Sequence, residues 1–497
     1  MAYCSVKGSP VPGRWIVINN RSSEAAENPI KSKRSRFNQT HRNLFCPVFR
    51  SYTPALMSRI LFTTIGSLGD LHPLIAIGLE LQRRGHVVSF CTSEGYRDKL
   101  ESLGFGFDPL RPNAAPGDEI ADRVREIFDP KKGPERLLRS WIMPELRSTY
   151  ADLVQAVIGN PANASTPAQD SRGTSHATVD LLLSGELVYA APLVGEKFGL
   201  PWASCITAPM SFFSAYDLPI LPPAQKLSRL LKRFGPRVNR GMIRLIKWST
   251  REWGAPVQTL RAELGLTPGA NPIYEGKFAP QLVLAMFSSV LSGPQPDWPP
   301  NTVITGFPFY DGVVTDGGLP AEVRQFLDRG EPPVVFTLGS SAVFDPGRFY
   351  EQSATAATLA NCRAVLLTGR NVAKIAPSKN IICYDYVGFS ELFSRAAAVV
   401  HQGGVGTTGQ VMRAGRPMLV MPYGFDQPDN ADRIQRLGLG RTVSRKAYSA
   451  RRVAECLRDL LDCPSYRENA LRVRQLLQRD NGSVTAADAL EKLLRQS

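Results

Sequence analysis

Hydrophobic residues in this chain form short apolar runs, and segments with helical spacing separate most of them. In the first half, four runs predict strands, at residues 59–63, 86–91, 181–183 and 202–206. Pro73 opens the predicted helix after the first run and Gly85 ends it, because proline is favoured in the first helical turn and glycine just after the last. This alternation of strands and helices predicts an α/β fold with parallel sheets.

The second half of the chain repeats this alternation. It opens on an apolar run at Val303, and further runs predict strands at residues 334–338, 364–367, 381–384, 396–400 and 418–421. Between the halves, the proline-rich segment 291–301 predicts a linker. We therefore expect two Rossmann-like domains, over residues 58–290 and 302–475, followed by a C-terminal helix over residues 476–497.

The first 57 residues have neither helical nor strand spacing and are rich in Ser, Asn, Arg and Pro. Such a segment buries too little apolar surface to form a core, so it is predicted to be a disordered extension. Nine Lys and Arg residues against two Glu make it basic. It also lacks the apolar stretch of a secretory signal.

A second basic segment spans residues 226–251 and carries nine Lys and Arg residues and no acid. Large apolar residues interleave with these cations at helical spacing, and Gly235-Pro236 divides the segment, so two amphipathic helices are predicted. Two interpretations fit them: a solvated helical face, or peripheral contact with an anionic membrane surface. The net charge of +15 comes with no nucleic-acid-binding motif, so we expect no nucleic-acid partner.

The composition favours a cytoplasmic protein. No apolar run approaches the roughly 18 residues that a membrane span needs. The eight cysteines are scattered, without close pairs at metal-ligand spacing, as is typical of proteins in reducing compartments. The five histidines are also far apart in the sequence, so we expect no metal site.

The clearest candidate chemistry lies in residues 396–438. A strand-like run ends at His401, a glycine-rich turn follows, and a helical pattern then runs to about Ala414. Free N–H groups at a helix start, together with the helix dipole, favour an anion such as a diphosphate. Polar residues including Asp426 follow the next predicted strand, and ligands of open α/β sheets bind at the carboxyl ends of the strands.

This segment resembles the nucleotide-sugar signature of the family 1 glycosyltransferases. The resemblance is carried by residues at fixed spacings, namely His401, Gly403, Gly404, Thr407, Thr408, Gly415, Pro417, Asp426, Gln427 and Asn430. It implies the GT-B fold, in which two Rossmann-like domains with parallel sheets face each other across a cleft. It also implies a nucleotide diphosphate sugar as donor, which is a co-substrate, and no cofactor.

The same resemblance assigns the donor contacts. His401 and Thr407 are expected at the diphosphate, beside the turn glycines Gly403, Gly404 and Gly406. Asp426 and Gln427, with Asn430 in the same motif, are expected at the sugar hydroxyls. Two further contacts are implied: Ser340 or Ser341 at the phosphates, and Tyr386 stacked on the nucleotide base, with core packing as the alternative for this ring.

The loop at residues 66–73 (GSLGDLHP) resembles the family's loop that supplies the general base. Asp70 is the expected base, His72 is its rival, and a role for neither is the third alternative. An aspartate base needs a raised pKa or a late proton transfer. The structural alternative is that Asp70 caps the helix, although Pro73 at the first helical position would make His72 the nearer cap. The resemblance implies a metal-independent, inverting single displacement.

Residues 293–299 and 305–312 extend the resemblance to bacterial rhamnosyltransferases that make rhamnolipids. This implies a deoxysugar donor such as dTDP-rhamnose and a hydroxylated lipid as acceptor, with a polyketide, a sterol or another small alcohol as the alternative. The aromatic loop near residues 211–224 predicts an apolar acceptor pocket, lined by Met210, Phe212, Phe213 and Tyr216. Two other functions stay open, a nucleotide-sugar epimerase and a non-catalytic GT-B partner protein.

Overall fold

The structure, a computed structural model, describes residues 57–113, 119–159, 178–312, 318–369, 375 and 378–496. By its contacts the chain separates into residues 1–54 and residues 55–497, and all described residues belong to the second unit. Of the predicted extension over residues 1–57 only Met57 is described. The prediction of disorder therefore lies outside the described residues.

The first sheet has seven parallel strands in the order β3-β2-β1-β4-β5-β6-β7. Their bounds are β1 (Arg59–Thr64), β2 (Val87–Thr92), β3 (Gly106–Pro109), β4 (Leu181–Gly185), β5 (Trp202–Ile206), β6 (Leu282–Ala285) and β7 (Thr302–Ile304). Phe62 in β1 pairs with Phe90 on one side and Leu183 on the other. These three side chains are fully buried, as expected of a parallel sheet that is covered on both faces.

The second sheet has six parallel strands in the order β10-β9-β8-β11-β12-β13. Their bounds are β8 (Val334–Thr337), β9 (Ala364–Leu367), β10 (Ile381–Tyr384), β11 (Ala398–His401), β12 (Met418–Val420) and β13 (Gly440–Thr442). The two sheets confirm the predicted α/β fold with two parallel-sheet halves.

Helices surround both sheets. In the first half these are α1 (Leu68–Arg83), α2 (Arg97–Ser102), α3 (Glu119–Ile127), α4 (Gly133–Arg136), α5 (Leu146–Ile158), α6 (Ala191–Phe198), α7 (Gln225–Leu231), α8 (Pro236–Ser249) and α9 (Ala255–Glu263). In the second half they are α10 (Ala321–Asp328), α11 (Gly339–Ala342), α12 (Phe349–Leu359), α13 (Phe389–Ser394), α14 (Val405–Ala414), α15 (Gln427–Arg436), α16 (Ala450–Asp462), α17 (Pro464–Leu477) and α18 (Gly482–Leu494). None of the described helices is both long and apolar enough to cross a membrane.

Helix α1 begins earlier than predicted, at Leu68 instead of Pro73. Ser67 is the N-cap residue: its hydroxyl accepts a hydrogen bond from the Gly69 N–H, and the Asp70 carboxylate accepts one from the Ser67 N–H. This reciprocal capping satisfies N–H groups that a helix start leaves free. Pro73 is accommodated inside the helix, and Asp70, not His72, takes part in the cap.

The predicted boundary between the halves is also wrong. Strand β7 pairs with β6 in the first sheet, so residues 302–304 belong to the first half and the segment 291–301 joins two strands of one sheet. The chain enters the second half only after Ile304. The prediction fails because a short apolar run such as residues 303–304 does not indicate which of two sheets it joins.

The last helix returns to the first sheet. It starts at Gly482, whereas the prediction began at residue 476. Leu490 lies in one buried cluster with Ile60, Leu74 and Leu284 of the first half. On the rim of this contact, Arg84 forms ion pairs with Asp488 and Glu491 at 2.6 and 3.2 Å. The C-terminal helix therefore ties the end of the chain to the N-terminal half.

Leu490→Ala should destabilise the protein by about 2–5 kcal/mol, because the substitution leaves a cavity under α18 where the side chain is fully buried. The free energy of unfolding in urea measures this loss. Leu476→Ala is the matched control: this leucine is 40% exposed, so its replacement should cost less than about 1 kcal/mol. Equal losses in the two variants would contradict the packing described for α18.

Candidate active site

A cavity of about 240 Å³ lies between the two halves. From the first half it is lined by Leu68, Gly69, His72, Pro73, Thr207 and Met286. The connecting segment 307–311 forms a second wall, and the second half adds Thr337, Gly339, Ser340, Tyr386, Gly406 and Thr407 among others. These residues lie at or beyond the carboxyl ends of parallel strands, where α/β sheets bind their ligands.

The start of α14 supplies the backbone donors of this cavity. Gly404 is the N-cap residue and no side chain caps the helix. Val405, Gly406 and Thr407 form the first turn and all line the cavity. Their N–H groups have no acceptor within the helix, so they remain available to an anion at the positive end of the helix dipole.

Two more of the predicted donor residues line the same cavity, Ser340 in α11 and Tyr386 after β10. The Tyr386 side chain is 65% exposed, with its ring centroid 6.1 Å from that of Phe389. Core packing, the alternative for this ring, is therefore excluded. Ser341 does not line the cavity, so of the two serines only Ser340 faces the predicted site.

His401 does not lie where the sequence prediction placed it. Its side chain is fully buried and does not line the cavity. Nδ1 accepts a hydrogen bond from the Gly403 N–H at 3.0 Å, and Nε2 lies 3.4 Å from the sulfur of Met418. Burial lowers the pKa of His401 to about 3, so the ring is neutral and holds the glycine-rich turn from below.

Gly403 itself shapes this turn and does not line the cavity. Its φ is +90°, and a Cβ there would lie 2.7 Å from the Cγ1 of Val420. Only glycine combines this backbone conformation with such close packing. Gly403 and His401 together therefore fix the direction in which α14 leaves the sheet.

The predicted sugar-binding residues Gln427 and Asn430 are engaged within the protein. The Gln427 Oε1 accepts hydrogen bonds from the N–H groups of Tyr423 and Gly424 at 2.8 and 3.3 Å. The fully buried Asn430 donates from Nδ2 to the Gly403 carbonyl at 2.9 Å and to Asp426 Oδ2 at 2.7 Å. Asn430 therefore positions the glycine-rich turn and Asp426, and neither amide lines the cavity.

Three carboxylates that do not themselves line the cavity influence one another through their charges: Asp70 on α1, Glu186 directly after β4, and Asp426 before α15. Burial raises the pKa of Asp70 to about 6, and the charge of Glu186 adds to this shift. Burial also raises the pKa of Asp426 to about 7, with further contributions from Asp70 and Glu186. Because such charge effects weaken with distance, the three groups from both halves share one region.

The carboxylate of Asp70 turns back toward the helix start. Its Oδ2 accepts hydrogen bonds from the Ser67 N–H at 2.8 Å and the Ser67 hydroxyl at 3.3 Å, while Oδ1 forms none with a described residue. Asp70 does not itself line the cavity, although Gly69 and His72 do. Gly66 makes this position possible, since a Cβ there would lie 2.3 Å from Oδ2.

His72 is held in one state by its neighbours. Lys99 Nζ donates to its Nε2 at 2.8 Å, and the ring of Tyr310 meets the imidazole edge to face at 5.1 Å. Burial, with the charge of Lys99, lowers the pKa of His72 to about 4. The imidazole is therefore neutral, and its basic nitrogen is already occupied, which makes it a poor proton acceptor.

The predicted acceptor residues do not line the cavity. Phe212 is buried and stacks on Trp298, with ring centroids 4.0 Å apart. Phe213 packs edge to face on Tyr274, and Tyr216 accepts a hydrogen bond from Arg240 on the outer surface. Met210 lies on the same short 3₁₀ turn as Phe212, away from the lining. The aromatic residues of this loop mainly fill the core.

Three residues at or near the cavity are not among those predicted from the sequence. They are Glu186, Thr207 and Met286, which directly follow β4, β5 and β6. The Thr207 N–H donates to Glu186 Oε1 at 3.0 Å. The segment 307–311 carries part of the family resemblance, but that resemblance does not predict that the segment forms a wall of the site. The rule that ligands bind at carboxyl ends of strands would have identified the first three, once the strand ends were known.

Comparison with known families identifies both halves. Residues 60–165 match the family model of the glycosyltransferase family 28 N-terminal domain. Residues 366–490 match that of the erythromycin biosynthesis protein CIII-like C-terminal domain.

Similar curated proteins extend over most of the chain. O-mycaminosyltylonolide 6-deoxyallosyltransferase of Streptomyces fradiae is 31% identical over 444 residues, which cover 87% of this chain and 97% of the relative. Glycosyltransferase GtfE of Amycolatopsis orientalis is 29% identical over 77% of this chain and 85% of its own. Sterol 3-beta-glucosyltransferase of Candida albicans is 25% identical over 91% of this chain, which matches only 29% of that longer enzyme.

Solved structures show the same fold. The glycosyltransferase of kitacinnamycin superposes with a TM-score of 0.62 at 20% identity, over 88% of this chain and 99% of its own. The spinosyn forosaminyltransferase SpnP superposes with a TM-score of 0.61 at 18% identity, over 88% of this chain and all of its own. At these identities the comparison concerns the fold alone.

Asn430→Ala should destabilise the protein by about 1–3 kcal/mol, because it leaves the buried Gly403 carbonyl without its side-chain donor. Urea unfolding measures the loss. Asn469→Ala is the control, since that partly exposed amide also donates to a glycine carbonyl, the one of Gly438 at 3.2 Å, where water can replace it. If Asn430→Ala costs no more than the control, the positioning role of Asn430 is wrong.

Proposed function

Because this chain belongs to the GT-B glycosyltransferases, the family of these antibiotic and sterol enzymes, we propose that it transfers a hexose or deoxyhexose from a nucleotide diphosphate sugar to a hydroxyl group of an apolar acceptor. We propose an inverting, metal-independent single displacement. The observation that carries the proposal is one cavity lined both by the open first turn of α14 and by the start of α1, with three interacting carboxylates beside it.

The donor diphosphate binds at the start of α14 in this proposal. The first turn of this helix, which includes Thr407, lines the cavity together with Ser340. We assign its N–H groups and the two hydroxyls to the negative charge that grows on the departing nucleoside diphosphate. Tyr386 and Phe389 offer aromatic faces to the base. We assign Asp426, which accepts a hydrogen bond from Asn430, to the sugar hydroxyls.

Asp70 is the general base of the proposed reaction. As the acceptor oxygen forms its bond to the anomeric carbon, the bond from that carbon to the diphosphate breaks and the acceptor proton moves to the carboxylate. A pKa of about 6 leaves Asp70 mostly ionised at neutral pH and makes it a stronger base than an ordinary aspartate. His72 fits this role less well, because Lys99 occupies its Nε2.

The acceptor is apolar in this proposal. Leu68, Met286, Phe309 and Val343 give the cavity apolar walls. The relatives include a 6-deoxyallosyltransferase and sterol 3-beta-glucosyltransferases, which favours a polyketide or sterol alcohol as acceptor and a deoxyhexose or hexose donor. A hydroxylated lipid and rhamnose remain within the proposal. We also keep peripheral contact with an anionic membrane surface, since apolar acceptors partition into bilayers.

The test is a panel of dTDP- and UDP-sugars offered with a macrolide-type polyketide, a sterol and a hydroxy-fatty acid. Nucleotide release with a glycosylated product is expected for at least one pair. Asp70→Asn should lower that rate by about 10²–10⁴-fold and leave donor binding, measured by calorimetry, nearly unchanged.

Asp98→Asn is the control for this test, because Asp98 is an exposed carboxylate on the neighbouring helix α2. Donor binding without transfer to any alcohol would instead favour a non-catalytic partner protein. An epimerised sugar would favour an epimerase, and a fully active Asp70→Asn variant would remove the base role.

The rate of transfer should fall as the pH drops below about 6, because protonated Asp70 cannot accept the acceptor proton. Glu186→Gln removes a neighbouring negative charge and should therefore lower the pKa of Asp70 and move this acid limb to lower pH. The pH profile of kcat/KM measures the shift. Glu275→Gln, a change at an exposed carboxylate paired with Lys247, should leave the limb in place, and an unmoved limb in Glu186→Gln refutes the coupling.

A further inference from the structure

The basic segment 226–251 does not line the cavity, so the site does not account for its exposed apolar and basic side chains. This segment forms α7, a short 3₁₀ turn and α8. It exposes large apolar side chains to solvent, namely Leu227, Leu230, Phe234, Val238, Leu245 and Trp248. Phe234 and Trp248 are 60% and 63% exposed. Isolated exposed apolar residues are ordinary, but six in one short basic segment call for an explanation.

The exposed residues of α8 follow its helical period. Asn239 and Ile243 face inward and are buried, whereas Val238, Leu245 and Trp248 recur three to seven residues apart on the outer side. Gly241 lies in the same outer row and adds no side chain. The result is an apolar stripe that no described residue covers.

Cations flank this stripe. Lys226, Arg233, Arg237 and Arg244 are exposed, and none of them forms an ion pair with a described residue. The inner cations of the segment are engaged instead: Lys232 and Arg229 pair with Asp432 on α15, at 3.1 and 3.3 Å. The inner side is thus anchored to the second half, and the outer cations remain available to an external anion.

We propose that the outer face of α8, with the exposed cations around it, docks on an anionic lipid bilayer. Amphipathic helices with large apolar residues beside Lys and Arg lie in the membrane interface, where apolar side chains enter the acyl boundary and cations meet lipid phosphates. A duplex nucleic acid would meet the cations but not the apolar stripe. The segment 1–57 is itself basic, so like charge disfavours it as the cover.

This inference assigns a surface to the membrane contact in the proposed function, and it does not depend on the proposed catalysis, since the surface lies outside the cavity. If both hold, docking brings the cleft to the membrane in which apolar acceptors dissolve. Asp70→Asn should bind vesicles as the unaltered protein does, so the failure of one proposal is distinguishable from the failure of the other.

Co-sedimentation of the full chain with vesicles tests the proposal. The protein should bind phosphatidylglycerol-containing vesicles at least about tenfold more tightly than pure phosphatidylcholine vesicles, and high salt should weaken this binding. Arg237→Gln with Arg244→Gln should weaken it by about fivefold for each cation removed. Leu245→Ser with Trp248→Ser should abolish most of the binding that persists in high salt.

Leu471→Ser with Leu476→Ser on α17 is the matched control, because these leucines are also exposed, at 39% and 40%; it should bind like the unaltered protein. Equal binding to both kinds of vesicle, or full binding by the Leu245 and Trp248 variant, overturns the proposal. So does a stable dimer in sedimentation velocity that the same variant dissociates, since a second copy would then cover the face.

Discussion

The free N–H groups at the start of α14 are useful to a ligand only because the turn before them is held in one conformation. No side chain caps this helix, so its first turn faces the cavity instead of being satisfied internally. The His401 ring supports the turn through the Gly403 N–H, and Asn430 holds the Gly403 carbonyl. Both polar groups of one glycine are therefore fixed by buried side chains, and the helix dipole keeps a defined direction.

The second constraint is electrostatic and joins the two halves. Asp70 and Glu186 come from the first half and Asp426 from the second, and the charges of the first two raise the pKa of Asp426. Bringing carboxylates together disfavours their joint ionisation, so closing the two halves costs free energy that another interaction must offset. One buried cluster contains Ile206 and Phe287 from the first half with Val335 and Val399 from the second, and it opposes that repulsion.

A buried ion network holds the aromatic loop to the same helix that follows Asp426. Arg433 on α15 pairs with Asp217 at 2.5 Å and with Asp429 at 2.7 Å, while the Ile220 N–H donates to Asp429 at 2.9 Å. Removing one partner of such a buried group leaves an uncompensated charge. This anchoring fixes the loop near residues 211–224 in a position where Phe212 stacks on Trp298 in the core and Tyr216 lies on the outer surface, so the loop does not line the cavity.

Local patterns in the sequence determined the two parallel sheets and the glycine-rich turn before α14, because hydrophobic period and glycine placement are properties of neighbouring residues. The family resemblance added the positions of Ser340, Tyr386, Gly406 and Thr407 around that turn. Tertiary structure decided what depends on distant partners. It placed β7 in the first sheet and returned α18 to the first half, buried His401 and Asn430 as supports of the turn, and brought Glu186 beside Asp70. Contacts between residues hundreds of positions apart decide which side chains face a cavity and which charges lie close together. Local spacing in the sequence does not encode such contacts.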